Sequence, residues 1–570
     1  MKLSDYIVSF LKKKGVTEVY GYPGGMVTHL MDSLSKSGAI RTHLNYHEQA
    51  SAFCVVGHAQ VKHTPSVAFA TSGPGATNLI TGICDAWFDS IPAVFITGQV
   101  NAYEGKGTLN VRQLGFQETD VVSMVRGVTK YAVYVENPEQ IRFELEKAFH
   151  LACSKRPGPV LLDIPMNVFR AEIDAEHLPG FEPEADGMLE MEREAAAEII
   201  KRLQSASRPL VIAGSGIRQS AMQAEFEGFI NKAQVPVVTS MPAVDVLPDD
   251  NPYKFGFIGA YGKRSANMLV DKADLIVTLG TRLDKRQTGN DLKNFAVQAQ
   301  IIRVDVDAAE LEHAVKQNEL SFCCDLKELC PILQREAVRL HTDRWLEICT
   351  EIRKVADLHD DTPQTAWLRR FSQIIPEDIH VITTDVGQNQ VWAAQAMSLR
   401  KGQRLLFSSG HGAMGYSLPA AIGACCALRE KVVSLNGDGG IQMNIQELQT
   451  IARERLSVKI VVLNNASLGM IRHFQEMYFS SNYMMTVENQ GYAAPDFAAV
   501  ARAYGIPGVK VSLEDDPGRL RDLLDAQGPA LIEVDVGNVT YVKPKSVYNL
   551  PLSRQTPFID EDIQKYLMEL

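Results

Sequence analysis

The sequence predicts an α/β protein with three doubly wound parallel-sheet domains, here called the N-terminal, central and C-terminal domains. Short apolar segments alternate with longer amphipathic ones, a pattern typical of parallel strands connected by helices. A single core rarely grows beyond about 250 residues, so a chain of 570 residues requires several domains. Two polar stretches, residues 170–191 and 357–362, interrupt the alternation and separate the three blocks.

The predicted strands fall within these blocks. The N-terminal domain, residues 1–168, has apolar segments at 67–70, 93–96 and 160–163. The central domain, residues 190–345, has apolar segments at 209–213, 235–239, 275–279 and 301–305. The C-terminal domain, residues 364–548, has them at 380–384, 431–435, 459–463 and 530–534. Residues 549–570 form a polar tail.

The bulk composition excludes several kinds of partner. A net charge of −11 argues against nucleic acid and anionic membranes as partners. No apolar segment approaches the ~20 residues needed to span a bilayer, and the first residues lack an apolar signal core. Nine cysteines, an odd number without metal-knuckle spacing, indicate free thiols. We therefore expect a cytoplasmic enzyme that acts on small molecules.

The most informative segment is Gly437-Asp438-Gly439-Gly440, which follows the apolar segment 431–435. The glycines predict a tight turn after a strand, residues 443–455 have helical character, and Asn465 follows the next strand. Ligands of doubly wound sheets bind at this strand edge, where backbone N–H groups suit a diphosphate. Asp438 and Asn465 offer the oxygen ligands that Mg²⁺ prefers. A Gly-Asp-Gly turn alone would be equally compatible with an ordinary loop.

Together with Asn465, this segment resembles the diphosphate and metal motif of thiamine-diphosphate enzymes. The resemblance implies that thiamine diphosphate binds here with Mg²⁺, held by Asp438, Asn465 and the backbone carbonyl of Ser467. It also assigns the N-terminal domain to the aminopyrimidine of the cofactor and the C-terminal domain to its diphosphate.

A second element of the resemblance is Glu48, in Tyr46-His47-Glu48-Gln49. Taken alone, Glu48 could be a charge at a helix start. In the family, a Glu from the N-terminal domain hydrogen-bonds N1′ of the aminopyrimidine and promotes the tautomer that activates the cofactor. Glu48 is the matching position.

Several N-terminal segments resemble the acetohydroxyacid synthase and pyruvate oxidase group more narrowly. These are the Gly/Pro turn 72–78, the segment 21–25, and Phe116-Gln117-Glu118. Gln117 and Gly25 are candidates for contacting the substrate, and Phe116 for lining the acceptor side. Gln117 could equally be a surface amide, and the turn could be purely structural.

The C-terminal domain has further matching segments. Residues 385–390 follow a strand, and their amide groups suit the phosphate end of the cofactor. Segment 409–421 resembles the family segment in which a hydrophobic residue under the cofactor enforces its bent shape; Met414 has that place, and Gly412 would offer its carbonyl to the 4′-amino group. The predicted cofactor-binding residues of these segments and of the start of the segment 468–475 are Val386, Gly387, Gln388, Asn389, Gly412, Met414, Gly469 and Met470.

The central domain resembles the FAD-binding domain of the synthases. Ala213-Gly214-Ser215-Gly216 lacks the third glycine of a dinucleotide fingerprint and is weak by itself. With Arg282, it makes FAD a possible second cofactor at Gly214, Gly216 and Arg282. Arg286 matches the position that orients the acceptor's carboxylate, a group that a guanidinium can bind through two hydrogen bonds. A buried ion pair is the alternative for Arg286.

Two positions depart from the synthase pattern where the second substrate is recognised. Phe474 replaces a Trp that favours 2-ketobutyrate, and Met166 replaces a common Lys. The resemblance implies a Mg²⁺-dependent carboligase that decarboxylates pyruvate and transfers the hydroxyethyl unit to a second 2-keto acid. The departures leave open another carbonyl acceptor, such as a nucleotide-linked keto sugar. Simple decarboxylation and a non-catalytic scaffold that kept the fold are further alternatives.

The resemblance also implies an oligomer. Family members form homodimers or homotetramers, with active sites at the subunit interface. Glu48 of one subunit would then face the diphosphate site of the next. Whether a regulatory subunit joins is unknown from the sequence.

Overall fold

Three six-stranded parallel sheets form the protein, which confirms the predicted fold class. The computed structural model describes residues 1–183 and 189–570. The predicted linker 170–191 therefore lies partly outside the described residues.

The N-terminal sheet has the strand order β2-β1-β3-β4-β6-β5. Its strands are β1 Glu18–Gly21, β2 Arg41–Leu44, β3 Ser66–Ala70, β4 Ala93–Gln99, β5 Tyr131–Tyr134 and β6 Pro159–Pro165. Its helices are α1 Leu3–Lys13, α2 Thr28–Ser37, α3 Glu48–Lys62, α4 Pro74–Asn78, α5 Ile80–Phe88, α6 Val121–Val125, α7 Ile141–Cys153 and α8 Met166–Phe169.

The central sheet has the order β12-β11-β10-β7-β8-β9, so its strand order reverses between β7 and β10. Its strands are β7 Pro209–Ala213, β8 Val237–Thr239, β9 Lys254–Phe257, β10 Leu275–Leu279, β11 Gln300–Asp305 and β12 Leu320–Cys323. Its helices are α9 Leu189–Ser205, α10 Gly216–Gln219, α11 Gln223–Ala233, α12 Arg264–Lys272, α13 Lys285–Thr288, α14 Ala308–Glu312, α15 Leu326–Glu336 and α16 Asp343–Ala356.

The C-terminal sheet has the order β14-β13-β15-β16-β18-β17, and a two-stranded ribbon of β19 and β20 follows it. The strands are β13 Val381–Thr384, β14 Arg404–Leu406, β15 Val432–Gly437, β16 Val458–Asn464, β17 Gly508–Ser512, β18 Ala530–Asp535, β19 Lys545–Ser546 and β20 Gln555–Thr556. The helices are α17 Pro363–Ile374, α18 Gln388–Ala396, α19 Ser417–Leu428, α20 Asp438–Ile441, α21 Leu448–Glu454, α22 Gly469–Tyr478, α23 Phe497–Ala503, α24 Arg521–Asp525 and α25 Glu561–Glu569.

The N- and C-terminal sheets have the same topology. In both, the second strand of the domain lies at one edge and the fifth and sixth exchange places at the other. Their equivalent helices α3 and α19 pack against each other, and the two domains share one hydrophobic core that includes Phe53, Tyr416 and Ile422. The two domains that should hold the cofactor are therefore one packed unit.

The sequence predicted a polar tail over residues 549–570, but this end of the chain packs against the central domain. Leu552 and Leu567 are buried in the core of the central domain, and α25 packs beside α16. The prediction failed because α25 is short and mostly polar, so the narrow apolar face that contacts the central domain is not recognisable in the sequence. This end of the chain therefore stabilises the central domain.

Candidate functional site

The C-terminal sheet reverses its strand order between β13 and β15, where a doubly wound sheet has its ligand crevice. The predicted segment 385–390 follows β13 directly, and the predicted segment 437–440 begins at the last residue of β15. The register places Thr384 beside Leu435, so both segments leave the sheet at the same edge. β16 is the next strand, and Asn465 follows it.

Three oxygen atoms converge beside this crevice. One side-chain amide atom of Asn465 lies 3.0 Å from Asp438 Oδ1 and 2.7 Å from the Ser467 carbonyl oxygen. The other atom faces Thr540 Oγ1 at 2.9 Å and Gln388 Oε1 at 3.1 Å. The assignment of nitrogen and oxygen in this amide decides what the site can bind.

The surroundings of Gln388 settle that assignment. Gln388 Nε2 donates to the Thr540 carbonyl at 2.9 Å, so Gln388 Oε1 is the atom that faces Asn465. An oxygen there needs a donor, and the Asn465 amide nitrogen must face it. The opposite orientation would place two oxygens together at Gln388, so Asn465 Oδ1 faces Asp438 and Ser467.

In this orientation, Asn465 Oδ1 lies 2.7 Å from the Ser467 carbonyl oxygen and 3.0 Å from Asp438 Oδ1. The amide places no hydrogen between these oxygens. Neighbouring ligands of an octahedral Mg²⁺ with bonds near 2.1 Å are about 3 Å apart. Asp438, Asn465 and the Ser467 carbonyl could therefore hold a small divalent cation, and they are the three metal ligands that the sequence predicted.

The second carboxylate oxygen of Asp438 is held in place by the protein. The backbone N–H of Ser467 and the hydroxyl of Tyr492 each donate to Asp438 Oδ2 at 3.0 Å. Burial raises the pKa of Asp438 to about 6. A cation at Oδ1 would offset that burial and favour the carboxylate.

The glycines at the end of β15 and in α20 are explained by close neighbours and not by a positive φ. β15 runs to Gly437 and α20 starts at Asp438, and neither Gly437 nor Gly439 has a positive φ. A Cβ on Gly439 would lie 2.6 Å from Leu468 Cδ2, and one on Gly440 would lie 2.5 Å from Asp385 Oδ1. The chain passes from β15 directly into α20, and the glycines there allow close packing around the crevice.

Asp385 organises the segments that should hold the cofactor. Its buried carboxylate accepts hydrogen bonds from Val386 N at 2.8 Å and Gly415 N at 3.0 Å. Burial raises its pKa to about 7. Gly387 has a φ of 129°, and the Asn389 side chain donates to the Asp385 carbonyl, so Asn389 lies over Gly437. The sequence showed Asp385 beside predicted site residues, yet gave no sign of this role.

Met414 lies at the crevice. Its Cε is 3.3 Å from the position of a Cβ on Gly439, and Gly412 has a positive φ of 69°. The N-terminal domain holds this loop, because Asp89 accepts from Ser409 N and Gly410 N, both at 2.7 Å.

In the N-terminal domain, the three predicted catalytic residues surround the segment 71–78 after β3. Glu48 begins α3, is buried, and accepts from Asn78 Nδ2 at 2.9 Å. Gln117 has a positive φ of 64°, and its Cβ lies 3.0 Å from the position of a Cβ on Gly73. Gly25 starts a 3₁₀ turn whose Met26 N–H donates to Thr71 Oγ1 at 3.3 Å.

The residues around Glu48 and those around Asp438, here called the two half-sites, have different hydrogen-bond partners within one chain. Glu48 is hydrogen-bonded to Asn78, whereas Asp438 is bonded to Ser467 and Tyr492, and no described hydrogen bond joins the two carboxylates. Phe116, next to Gln117, is 79% exposed, and Phe474 on α22 is 51% exposed.

Comparison with known proteins gives the family. Three models of thiamine pyrophosphate enzymes match: the N-terminal TPP binding domain over residues 1–124, the central domain over 196–333 and the C-terminal TPP binding domain over 385–534. The chain belongs to the thiamine pyrophosphate enzyme family. It is therefore a thiamine-diphosphate-dependent enzyme, as the sequence predicted.

Several similar proteins are acetolactate synthases. The large subunit of isozyme 2 from Escherichia coli (strain K12) is 36% identical over 552 residues, 95% of this chain and 97% of its own. The large subunit from Lactococcus lactis subsp. lactis (strain IL1403) is 35% identical over 95% of this chain and 93% of its own. The chloroplastic acetolactate synthase 1 of Nicotiana tabacum is 36% identical over 95% of this chain and 83% of its own.

The central domain of this family member contains a large cleft. It opens where the strand order reverses between β7 and β10, and Gly214 there packs so closely on Gly280 that a Cβ would lie 2.0 Å from its carbonyl oxygen. The cleft encloses about 1240 Å³ including its mouth, and its walls contain Gly216, Arg282 and Arg286. Dinucleotides bind at this point of such sheets, so these residues could hold one.

Two further residues of the metal half-site escaped the sequence analysis. Tyr492 and Thr540 come from loops far along the chain from Asp438 and Asn465. A local pattern could not have found them.

Met470, a predicted cofactor-binding residue, is partly buried against the C-terminal core, and Gly469 N donates to the Ser467 carbonyl at 2.9 Å. Among the described residues, no helix is both long and apolar enough to cross a membrane.

Proposed function

We propose that this enzyme is a carboligase that decarboxylates pyruvate and transfers the two-carbon unit to a second 2-keto acid. With pyruvate as acceptor, the product is acetolactate. The similarity to acetolactate synthase large subunits over 95% of the chain supports this reaction. When bound, thiamine diphosphate supplies the electron sink that decarboxylation of a 2-keto acid requires.

Mg²⁺ is the cation that we assign to Asp438, Asn465 and the Ser467 carbonyl. The single observation that carries this assignment is the convergence of three oxygens at 2.7 and 3.0 Å with no donor between them. The backbone of Gly437, Gly439 and Gly440, with residues 386–389, would hold the diphosphate. Met414 would contact the thiazolium side from below, Gly412 would present its carbonyl, and Gly469 and Met470 would close the site.

Glu48 would hold a proton at N1′ of the aminopyrimidine. Its burial at the start of α3, beside Asn78, supports this role because a carboxylate in a dry pocket interacts strongly with a nearby ring nitrogen. Gln117 and Gly25 lie on either side of the segment 71–78 and would contact the substrate. Phe116, Phe474 and Arg286 would border the acceptor, where Arg286 could bind its carboxylate.

The active site would be completed by a second subunit, in a homodimer or homotetramer. Two observations support this arrangement: Glu48 and Asp438 have different hydrogen-bond partners within one chain, and apolar side chains next to Gln117 and on and after α22 are exposed to solvent. These are Leu109, Val111, Leu114 and Phe116 in the loop before Gln117, Phe474 and Tyr478 on α22, and Phe479, Met484 and Met485 after it. Such patches are typical of subunit contacts.

We also propose FAD as the occupant of the central cleft and the cytoplasm as the location.

The first experiment is an assay with pyruvate, thiamine diphosphate and Mg²⁺ that follows CO₂ and acetolactate together. Acetolactate formed in step with CO₂, and lost in Glu48→Gln, is the expected result. Pyruvate consumption without acetolactate would contradict the proposed acceptor and favour a keto sugar or an aldehyde product. No turnover of pyruvate would contradict the proposed reaction altogether.

A complementation experiment tests the shared site. Glu48→Gln and Asp438→Asn are each expected to be inactive, and mixed dimers should regain one intact site. Random mixing would restore about a quarter of wild-type activity, because half of the dimers are mixed and each has one working site of two. No recovery in dimers shown to be mixed would mean that each site belongs to one chain.

A further inference from the structure

A buried cluster of three metal-ligating side chains lies where the N- and C-terminal domains meet. His43 is in β2, Cys426 is near the end of α19, and Glu454 is the last residue of α21. Because α19 and α21 start at the cofactor edge of the sheet, their ends lie toward the opposite edge. The proposed carboligase reaction does not use this cluster.

The ligand atoms of the cluster are close enough to share one ion. His43 Nδ1 is 2.6 Å from Glu454 Oε2 and 3.7 Å from Cys426 Sγ, and the three atoms all lie within 4.8 Å of one another. His43 is fully buried, Cys426 is buried, and the Glu454 side chain is 12% exposed.

The other ring nitrogen of His43 has its own partner. His43 Nε2 is 2.7 Å from Glu18 Oε2, and Glu18 is buried. Histidine ligands of metals usually donate their second N–H to a carboxylate, which fixes the ring and makes Nδ1 the free ligand atom. Tyr20 stacks on the same ring with 5.1 Å between centroids and limits its rotation.

We propose that His43 Nδ1, Cys426 Sγ and Glu454 Oε2 bind one Zn²⁺ ion. A thiolate with an imidazole and a carboxylate is a ligand set for borderline ions such as Zn²⁺, whereas Mg²⁺ prefers oxygen alone. The ion would join β2 of the N-terminal domain to two helices of the C-terminal domain, and so stabilise the packing of the two domains that hold the cofactor.

An open cleft reaches Cys426, one of the three residues of the cluster, from solvent. Cys426 forms part of its wall with Arg41, Cys425, Arg429 and Arg455. This cleft provides an entry path and room for a water as the fourth ligand of a tetrahedral ion. Arg41 lies 3.9 Å from Glu454 and Arg429 lies 3.6 Å from Glu18, so the surplus negative charge of the ligands is balanced.

The competing arrangement is an imidazolium that donates to Glu18 and Glu454, with no metal. The adjacent cysteines separate the two cases, because Cys425 lines the same cleft yet is not among the three ligands. The test uses the full-length protein, first stripped with a chelator and then titrated with Co²⁺ alone. Cobalt bound to a thiolate gives an intense charge-transfer absorption in the near ultraviolet, which oxygen ligands do not produce.

We expect that absorption to saturate at one Co²⁺ per chain, to disappear in Cys426→Ser and His43→Gln, and to persist in Cys425→Ser. We also expect Zn²⁺ to displace the cobalt and to raise the melting temperature of the wild type and of Cys425→Ser only. Absence of the absorption in folded wild-type protein would overturn the proposal and leave the imidazolium. An absorption that survives in Cys426→Ser would overturn this set of ligands.

Discussion

Gly57 of α3 packs directly against the backbone of Ala420 in α19. A Cβ at Gly57 would lie 2.2 Å from the Ala420 carbonyl oxygen, and one at Gly423 would lie 2.0 Å from the carbonyl oxygen of Cys54. The two contacts are reciprocal, since each glycine is three residues after the residue that its counterpart meets. The two domains of equal topology thus meet about an approximate twofold axis at these helices.

We predict that Gly57→Ala and Gly423→Ala each destabilise the protein. The added methyl group would meet backbone atoms, which cannot move aside as a flexible side chain can. Overpacking of this kind costs about 1–3 kcal/mol, and here the upper end applies. Urea unfolding should show a lower midpoint. Gly127→Ala is the matched control, because a Cβ there meets no atom within 4 Å. Equal midpoints for Gly57→Ala and wild type would contradict the close contact.

Tyr492 should control the affinity of the cation site. Its hydroxyl donates to Asp438 Oδ2, which directs Oδ1 toward Asn465. Loss of a group that orients a metal ligand typically costs 10- to 100-fold in metal affinity. We expect Tyr492→Phe to raise the Mg²⁺ concentration at half-maximal thiamine diphosphate binding by about 10-fold, as measured by fluorescence quenching.

Tyr483→Phe is the control for that experiment. Tyr483 lies in the same segment after α22, but its hydroxyl donates to Glu476 Oε1 at 3.0 Å, away from Asp438. Its Mg²⁺ dependence should match the wild type. A similar change in both variants would show a general effect on the segment, with no specific role for the Tyr492 hydroxyl.

Much of the cation site could be predicted from sequence for a simple physical reason. Strands buried on both faces appear as continuous apolar segments, and Asp438 and Asn465 follow two such strands. Adjacent parallel strands bring their ends together, so local patterns locate both ligands. Tyr492 and Thr540 approach from loops that carry no such periodicity, and only the folded chain shows that they contact Asp438 and Asn465.

The glycines show the opposite limit. Gly437 and Gly439 suggested a tight turn by their type alone, yet a Cβ on Gly439 or Gly440 would lie too close to Leu468 or Asp385 from other segments. A glycine required by a positive φ and one required by a close neighbour look identical in a sequence. The same holds for Leu552 and Leu567, whose burial depends on a central-domain surface far away in the chain.

His63 should make stability depend on pH. Burial, with Arg404 and Arg218 nearby, lowers its pKa from 6.5 to about 4. The unfolded chain therefore binds the proton more tightly, and stability that is complete above about pH 6.5 is lost as the pH falls through about 4. Because the ring is partly exposed, we expect a loss on the order of 1–2 kcal/mol.

Comparison of urea midpoints at about pH 7 and about pH 5 in wild type and His63→Asn measures this effect. Asn is the suitable replacement because His63 has a φ of 55°, a conformation that asparagine tolerates. The variant should lose less stability on acidification than the wild type. The exposed His341→Asn serves as control and should keep the wild-type dependence. An unchanged pH dependence in His63→Asn would contradict a lowered pKa of the partly buried His63 ring.

Asp89 should control how well the C-terminal domain binds the cofactor, although it belongs to the N-terminal domain. Its two carboxylate oxygens each accept one backbone N–H of the loop that carries Gly412 and Met414. In Asp89→Asn, an amide NH₂ would face one of these N–H groups and leave it without an acceptor, at a cost of about 1–3 kcal/mol. We expect the loop to move and relieve part of that cost, so thiamine diphosphate should bind about 10-fold more weakly. Calorimetric titration at saturating Mg²⁺ would measure this change, and Asp32→Asn, in the middle of α2, should bind as the wild type does.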